Sequence, residues 1–177
     1  ATDAMGFSSI RLQAAYDGVK HVLTLKQAET PVGLATGTLQ IHGMAPYDVA
    51  GAVGLSSQYG NTTYQLNTRL SGTLEALNLQ LDVAGDKLQG RANIDATPFA
   101  AVPVRRAEIT VRGLNPRVFN PQWPQAKLDI YAALTPSGDA SGDLSKLTVT
   151  GPVALTNALP GPTDRGLLPL ESASMDI

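Results

Sequence analysis

Cysteine is absent from the 177 residues, which excludes disulfides and thiolate metal sites and leaves packing and backbone pairing to hold the chain. Charge is also scarce. Asp, Glu, Lys and Arg make 16% of the chain, against about 25% in a typical soluble domain. The 13 basic and 15 acidic residues leave a net charge of -2, so no broad field exists to attract phosphates, and nucleic acid is not expected as a partner. Aromatics make only 5% and form no girdle at regular spacing, which argues against a transmembrane barrel. No apolar run approaches the roughly 18 residues of a membrane-spanning helix. Ala1 to Gly6 lacks the charged and apolar regions of a signal peptide, so any membrane anchor is expected outside this segment.

Catalytic constellations are missing as well. The only histidines are His21 and His42, no Gly-x-Ser-x-Gly elbow is present, and no glycine loop of the nucleotide-binding kinds occurs. Both histidines read as solvent-facing, on the parity opposite their apolar neighbours. Asp139 and Asp143, with Gly138 and Gly142, lack the ligand alternation of a calcium loop and read as a polar loop. Asn61-Thr62-Thr63 matches a glycosylation acceptor by three residues only, and Arg105-Arg106 is too short for a basic patch. The expectation is a protein that is not an enzyme and takes no cofactor or metal.

What the chain does have is 17 Gly, 12 Pro and a period of two in its apolar residues. Ile10, Leu12, Ala14 and Tyr16 alternate with Ser9, Arg11, Gln13 and Ala15, as in a half-buried strand. The alternation returns through further runs, about eleven strands in all. Their larger aliphatic members are Ile10, Leu12, Leu39, Ile41, Val49, Val53, Leu55, Leu66, Leu70, Leu77, Leu79, Leu81, Val83, Ile94, Ile109, Val111, Leu128, Ile130, Leu147, Val149, Val153 and Leu155. Asp17-Gly18 and Gly85-Asp86 suit two-residue hairpins and predict an antiparallel sheet. Residues 59–63 and 136–142 read as longer loops, and 86–92 as at most a single helical turn. Gly37, Gly51, Gly54, Gly72, Gly90 and Gly113 fall inside strands and predict strong bending or bulges. Residues 114–124 place apolar anchors among three prolines, which forbid ladder bonding and predict a crossing loop pinned by Phe119 and Trp123, with a partner contact as the alternative.

An internal repeat adds organisation. Ser71-Gly72-Thr73-Leu74-Glu75-Ala76-Leu77-Asn78-Leu79 aligns without gaps on Ser141-Gly142-Asp143-Leu144-Ser145-Lys146-Leu147-Thr148-Val149. Val102-Pro103-Val104, Ala107, Ile109 and Val111 align on Leu168-Pro169-Leu170, Ala173, Met175 and Ile177. Units of about 71–111 and 141–177 within one repetitive β segment predict a stacked array, and 1–177 reads as a fragment of a larger protein. About eleven strands spaced about 4.8 Å apart make a sheet roughly 50 Å long, which must curl. The fold expected is all-β, an elongated, strongly curled antiparallel sheet forming an open groove lined by the aliphatic residues above. An ordinary β-sandwich is the alternative.

The Leu114-Asn115-Pro116 turn, Pro124-Gln125-Ala126-Lys127-Leu128 leading into a strand, the Ser141-Gly142-Asp143-Leu144 step and a hairpin over 155–170 resemble the TamB-type repeats of the AsmA-like bridge-protein superfamily. The resemblance implies a β-taco groove crossing the periplasm, anchored to the inner membrane by a helix outside this segment. It also implies phospholipid transport between inner and outer membranes, with acyl chains as partners. A role in outer-membrane protein assembly and autotransporter secretion with the outer-membrane barrel TamA would use regions outside 1–177. A chaperone-like scaffold for unfolded outer-membrane protein strands, or a cargo-free structural β-solenoid or adhesin, are the alternatives.

Overall fold

An extended backbone with one apolar and one polar side-chain face satisfies its N–H and C=O groups by pairing with the next strand, and this chain does so almost throughout. The structure is a computed structural model that describes residues 8–31, 33–59, 62–139 and 144–177. Its strands are β1 (Ser8–Tyr16), β2 (Lys20–Thr30), β3 (Gly33–His42), β4 (Asp48–Tyr59), β5 (Thr62–Thr73), β6 (Leu77–Gly85), β7 (Leu88–Ala96), β8 (Val104–Leu114), β9 (Leu128–Ser137), β10 (Thr148–Thr150), β11 (Pro152–Asn157) and β12 (Ser172–Asp176). They form one antiparallel 12-stranded sheet in the order β1 to β9, then β11 and β12, with β10 also paired to β9. The edge strands β1 and β12 do not meet, so the curled sheet stays open. The β-sandwich alternative is set aside, because the strands belong to one sheet and contact essentially only their ladder neighbours.

Two hairpins sit one residue from where their glycines suggested. Between β1 and β2 the turn centres on Gly18 and Val19, with Gly18 at φ 93°. Asp17 stands before it, its Oδ1 accepting from the N–H groups of Val19 and Lys20 at 2.9 Å each. Those backbone bonds hold the Asp17 carboxyl below the ordinary carboxylate range. Between β6 and β7 the turn is Asp86-Lys87, with Asp86 at φ 42°, while Gly85 remains in β6. There is no helix over 86–92. Among the described residues the one α-helical turn, α1 (Pro116–Phe119), lies instead in the β8–β9 loop, capped by the Asn115 side chain accepting from Arg117 N–H.

Strand β2 was not among the alternating runs, and a bulge explains why. Leu25 pairs with Gly37 and Ala28 with Ala35, so β2 carries one residue more than β3 between these pairs and its apolar residues change parity. Similar shifts occur in β1, at Asp95/Ala96 against β8 and at Val111/Leu114 against β9. The in-strand glycines mostly lie elsewhere. Gly51, Gly54 and Gly90 sit in unbroken register, Gly37 pairs with Leu25 where the β2 bulge opens, and Gly113, at φ 70°, lies within the β8 bulge. Gly37 serves close approach, since a Cβ there would fall 2.6 Å from Ala52 O and 2.9 Å from Val53 Cγ2.

The repeated stretches are laid out differently. Residues 71–111 run through β6, β7 and β8, three successive ladder partners. The corresponding later stretch holds β10 and β11, which lie on one register along β9 interrupted at Gly151-Pro152, and then β12. The span 158–171, with a 3-10 turn at Thr163–Arg165, stands between β11 and β12, so the sequence's 155–170 hairpin is a long connection. Residues 141–143, including Asp143, and also Asn61 lie outside the described residues.

Two outcomes follow. Gly37→Ala forces a methyl group against a backbone carbonyl and should destabilise the sheet by about 1–3 kcal/mol, whereas Gly54→Ala, which meets nothing nearer than Asn67 Oδ1 at 3.6 Å, should be neutral or slightly stabilising; urea denaturation of both variants reads the difference. The Asp17 contribution, from a carboxyl held low, is present above the ordinary carboxylate range and disappears as pH falls through its depressed pKa. The protection factors of the Val19 and Lys20 amides, their exchange measured against an unstructured peptide at the same pH, should therefore fall on acidification, and Asp17→Ala should show the lowered protection already at neutral pH.

Candidate functional site

Residues paired across a ladder share a face, so the registers sort the side chains of the whole sheet. One row reads Leu12, Leu25, Gly37, Val53, Thr68, Leu81, Ala92, Ile109, Ala132, Val153 and Met175 from β1 to β12. A second follows Ala14, Leu23, Leu39, Gly51, Leu70, Leu79, Ile94, Ala107 and Leu134. A third follows Ala28, Ala35, Leu55, Leu66, Val83, Gly90, Val111, Ile130, Leu155 and Ala173. A fourth carries Tyr16, His21, Ile41, Val49, Gly72, Leu77, Ala96 and Val104. Leu128, opposite Leu114 and Asn157, and Val149, opposite Pro136, continue the face near its ends.

The sequence-chosen lining residues fall on this one face with two exceptions. Ile10 lies in the irregular start of β1, outside the paired register and 56% exposed. Leu147 precedes β10 and has no ladder partner. The residues that the sequence missed on the face are mostly those of β2 (Leu23, Leu25 and Ala28) together with alanines too small to stand out in an alternation. His21 is exposed, as expected, but its parity is corrected. It pairs with Tyr16 and Ile41 on the apolar face, its ring stacked on Tyr16 at 4.5 Å between centroids. His42 lies on the other face, with Nδ1 3.6 Å from Asp48 Oδ2.

No Asp, Glu, Lys or Arg appears in the four rows. Charges occupy the opposite rows, where Asp82 accepts from Arg91 at 2.9 Å and Asn78 donates to Asn93 and Asp95 at 2.9 Å. Arg69, Gln80 and Glu108 share that polar face. The apolar face is nevertheless poorly covered. Among the described residues no side chain is fully buried, and the buried hydrophobic residues are Ala28, Val49, Ala126, Leu128 and Ala132. Val53 is 44% exposed and Met175 60%.

At one end of the strands this face deepens into a hollow of about 640 Å³, lined by Thr30, Pro31 and Gly33, by Phe119, and by Leu55, Leu66, Val83 and Leu88. Such a volume lies within the range of about 300–1,000 Å³ usual for small-ligand sites. Comparison with protein-family models, curated proteins and solved structures finds no match. Among the described residues no three His, Asp or Glu side chains gather as metal ligands, and no helix is long and apolar enough to cross a membrane.

Of the two aromatic anchors expected for the β8–β9 loop, Phe119 sets its ring against Tyr64 of β5, while Trp123 is 51% exposed. Polar bonds also hold the loop. Arg117 donates from Nε to Trp123 O and from Nη2 to Gly166 O, both at 3.2 Å, while Gln125 N–H donates to Gly166 O at 2.8 Å. Asn157, only 6% exposed, joins three segments there: its Oδ1 accepts from Lys127 N–H and Leu159 N–H at 3.1 and 3.0 Å, and its Nδ2 donates to Leu168 O at 3.2 Å. Asn157→Ala strands these groups and should cost about 1–3 kcal/mol in a denaturant titration, with the 158–171 connection the first segment to gain limited-proteolysis cuts.

Proposed function

We propose that the chain is a periplasmic bridge segment whose apolar face carries phospholipid acyl chains between the inner and outer membranes. One observation carries this reading: a face four residues deep along the strands, running across the sheet without a charged side chain and without a second layer over it. An acyl chain laid on such a face leaves water at about 0.8 kcal/mol per methylene buried, before the cost of ordering it. Its head group stays at the open side of the sheet, in water. The face has no need of catalytic groups, since moving a lipid along it makes and breaks no covalent bond.

The resemblance to TamB-type repeats points the same way and adds the expected surroundings: an inner-membrane anchor, the outer-membrane barrel TamA as partner, and a part in outer-membrane protein assembly. A second reading has an observation of its own. Among the described residues no strand lies beside the outward edge of β1, nine residues long, so an unfolded client strand could add there through backbone bonds.

Photocrosslinking residues introduced at Leu81 and Ile109, against Gln80 and Glu108 on the polar face, test the first reading on the purified chain mixed with radiolabelled phospholipid vesicles. Lipid adducts are expected at Leu81 and Ile109 and not at the other two. Equal labelling on both faces, or adducts at Gln80 and Glu108 alone, would count against it. Protection of β1 amides by an added outer-membrane strand peptide, without lipid adducts, would favour the second.

A further inference from the structure

The apolar face ends differently at its two extremities. At the end where β5 begins and β8 stops, the loop between β8 and β9 reaches back past the Asp86-Lys87 turn and sets the Phe119 ring against Tyr64, with centroids 6.2 Å apart and planes tilted by 39°. Tyr64 itself lies over Gly85, where a Cβ would fall 2.2 Å from the ring. Behind the pair is a second, smaller hollow of about 200 Å³ under the loop. Tyr64, Leu88 and Phe119 line both this hollow and the larger one on the apolar face, so the two rings form the partition between them.

We propose that the Tyr64–Phe119 pair is a stop for a single acyl chain, ending the apolar path at this extremity and fixing the chain length the site accepts. The inference rests on the acyl-chain reading of the face and adds to it the residue that limits the cargo. Two features make the stop effective. First, the loop carrying Phe119 is tied to its own end of the sheet by Arg117 and Gln125 bonding to Gly166, so the ring does not depend on the cargo for its position. Second, the described residues that line the large hollow are uncharged, with Leu55, Leu66, Val83 and Leu88 among them, which suits an alkyl chain and offers no counter-charge to a lipid head group. A chain entering along β4 to β6 therefore meets an aromatic wall with an empty apolar-and-polar recess behind it.

The test is a binding series of single-chain phosphocholines that differ by one methylene at a time, measured by displacement of a fluorescent fatty acid from the full chain. With the wild-type protein, affinity should rise about fourfold per added methylene, which is the buried-methylene value expressed as a ratio, and then become flat once the chain meets the stop. Phe119→Ala should carry the rise on for at least two further methylenes, leaving the longest chains about 15-fold tighter than on the wild type. Phe119→Leu, which keeps an apolar side chain of comparable reach, should restore the plateau. Tyr64→Ala, read in the same way, covers the case in which Phe119→Ala does not fold. A series in which the wild type shows the rise and plateau, but the plateau stays in place in Phe119→Ala and Tyr64→Ala, overturns the stop and leaves the acyl-chain reading standing. Affinity independent of chain length in every protein overturns both.

Discussion

Every strand of this sheet is held by backbone pairing to its immediate neighbours, and the remaining architecture depends on how strictly those ladders keep register. A slip of one residue would move a strand's charged side chains onto the face that is now free of them. Continuous pairing from β3 through β7 prevents this, because along the four apolar rows the residue opposite an aliphatic one is another aliphatic residue, an alanine or a glycine, with Thr68 the exception that still carries no charge. The bulges in β2 and β8 then act as corrections. Each inserts a residue at the point where the raw sequence would otherwise turn the wrong side inward, as Ala28 and Leu114 demonstrate by returning to the apolar face beyond Lys26 and Arg112.

Because no second layer covers that face, the sheet is stabilised in an unusual proportion. Side chains gain from neighbours along and across the strands, but few are removed from water completely, and the residues buried most fully are small or lie where loops fold back, as Ala126 and Leu128 do. The irregular end supplies what the sheet lacks. There the carboxamide of Asn157 and the guanidinium of Arg117 bond to backbone groups from separate segments and so tie the β8–β9 loop to the 158–171 connection.

Much of this was legible in the sequence, for physical reasons that can be named. Strands such as β5, with Tyr64, Leu66, Thr68 and Leu70 on one side and Gln65, Asn67 and Arg69 on the other, state their period directly. The one-sheet, antiparallel, open fold follows from repeating that statement with tight turns between. Three things were hidden. Strand β2 lost its period at the bulge near Lys26 and Gln27, so His21 was assigned to the wrong face. The turns moved by a residue because Asp17 and Asp86 contribute as much to them as the adjacent glycines. Much of the fastening of the β8–β9 loop runs through carbonyls and one buried carboxamide, which hydropathy does not register; of the aromatic residues chosen as its anchors, Phe119 faces Tyr64 and Trp123 is half exposed.

The neighbour-only pairing also has a mechanical meaning. A closed core resists until it breaks as a whole, but in this ribbon the strands contact essentially only the next one in line, and the Phe119–Tyr64 contact ties the β8–β9 loop back to β5. Tension applied at β1 reaches β5 only through each intervening ladder, so that part of the molecule would give way hairpin by hairpin, each step releasing a short length and re-forming when the load falls. Stretched between two anchored points, such a chain behaves as an extensible strap, shedding force at its weakest turn while the surface further along remains intact.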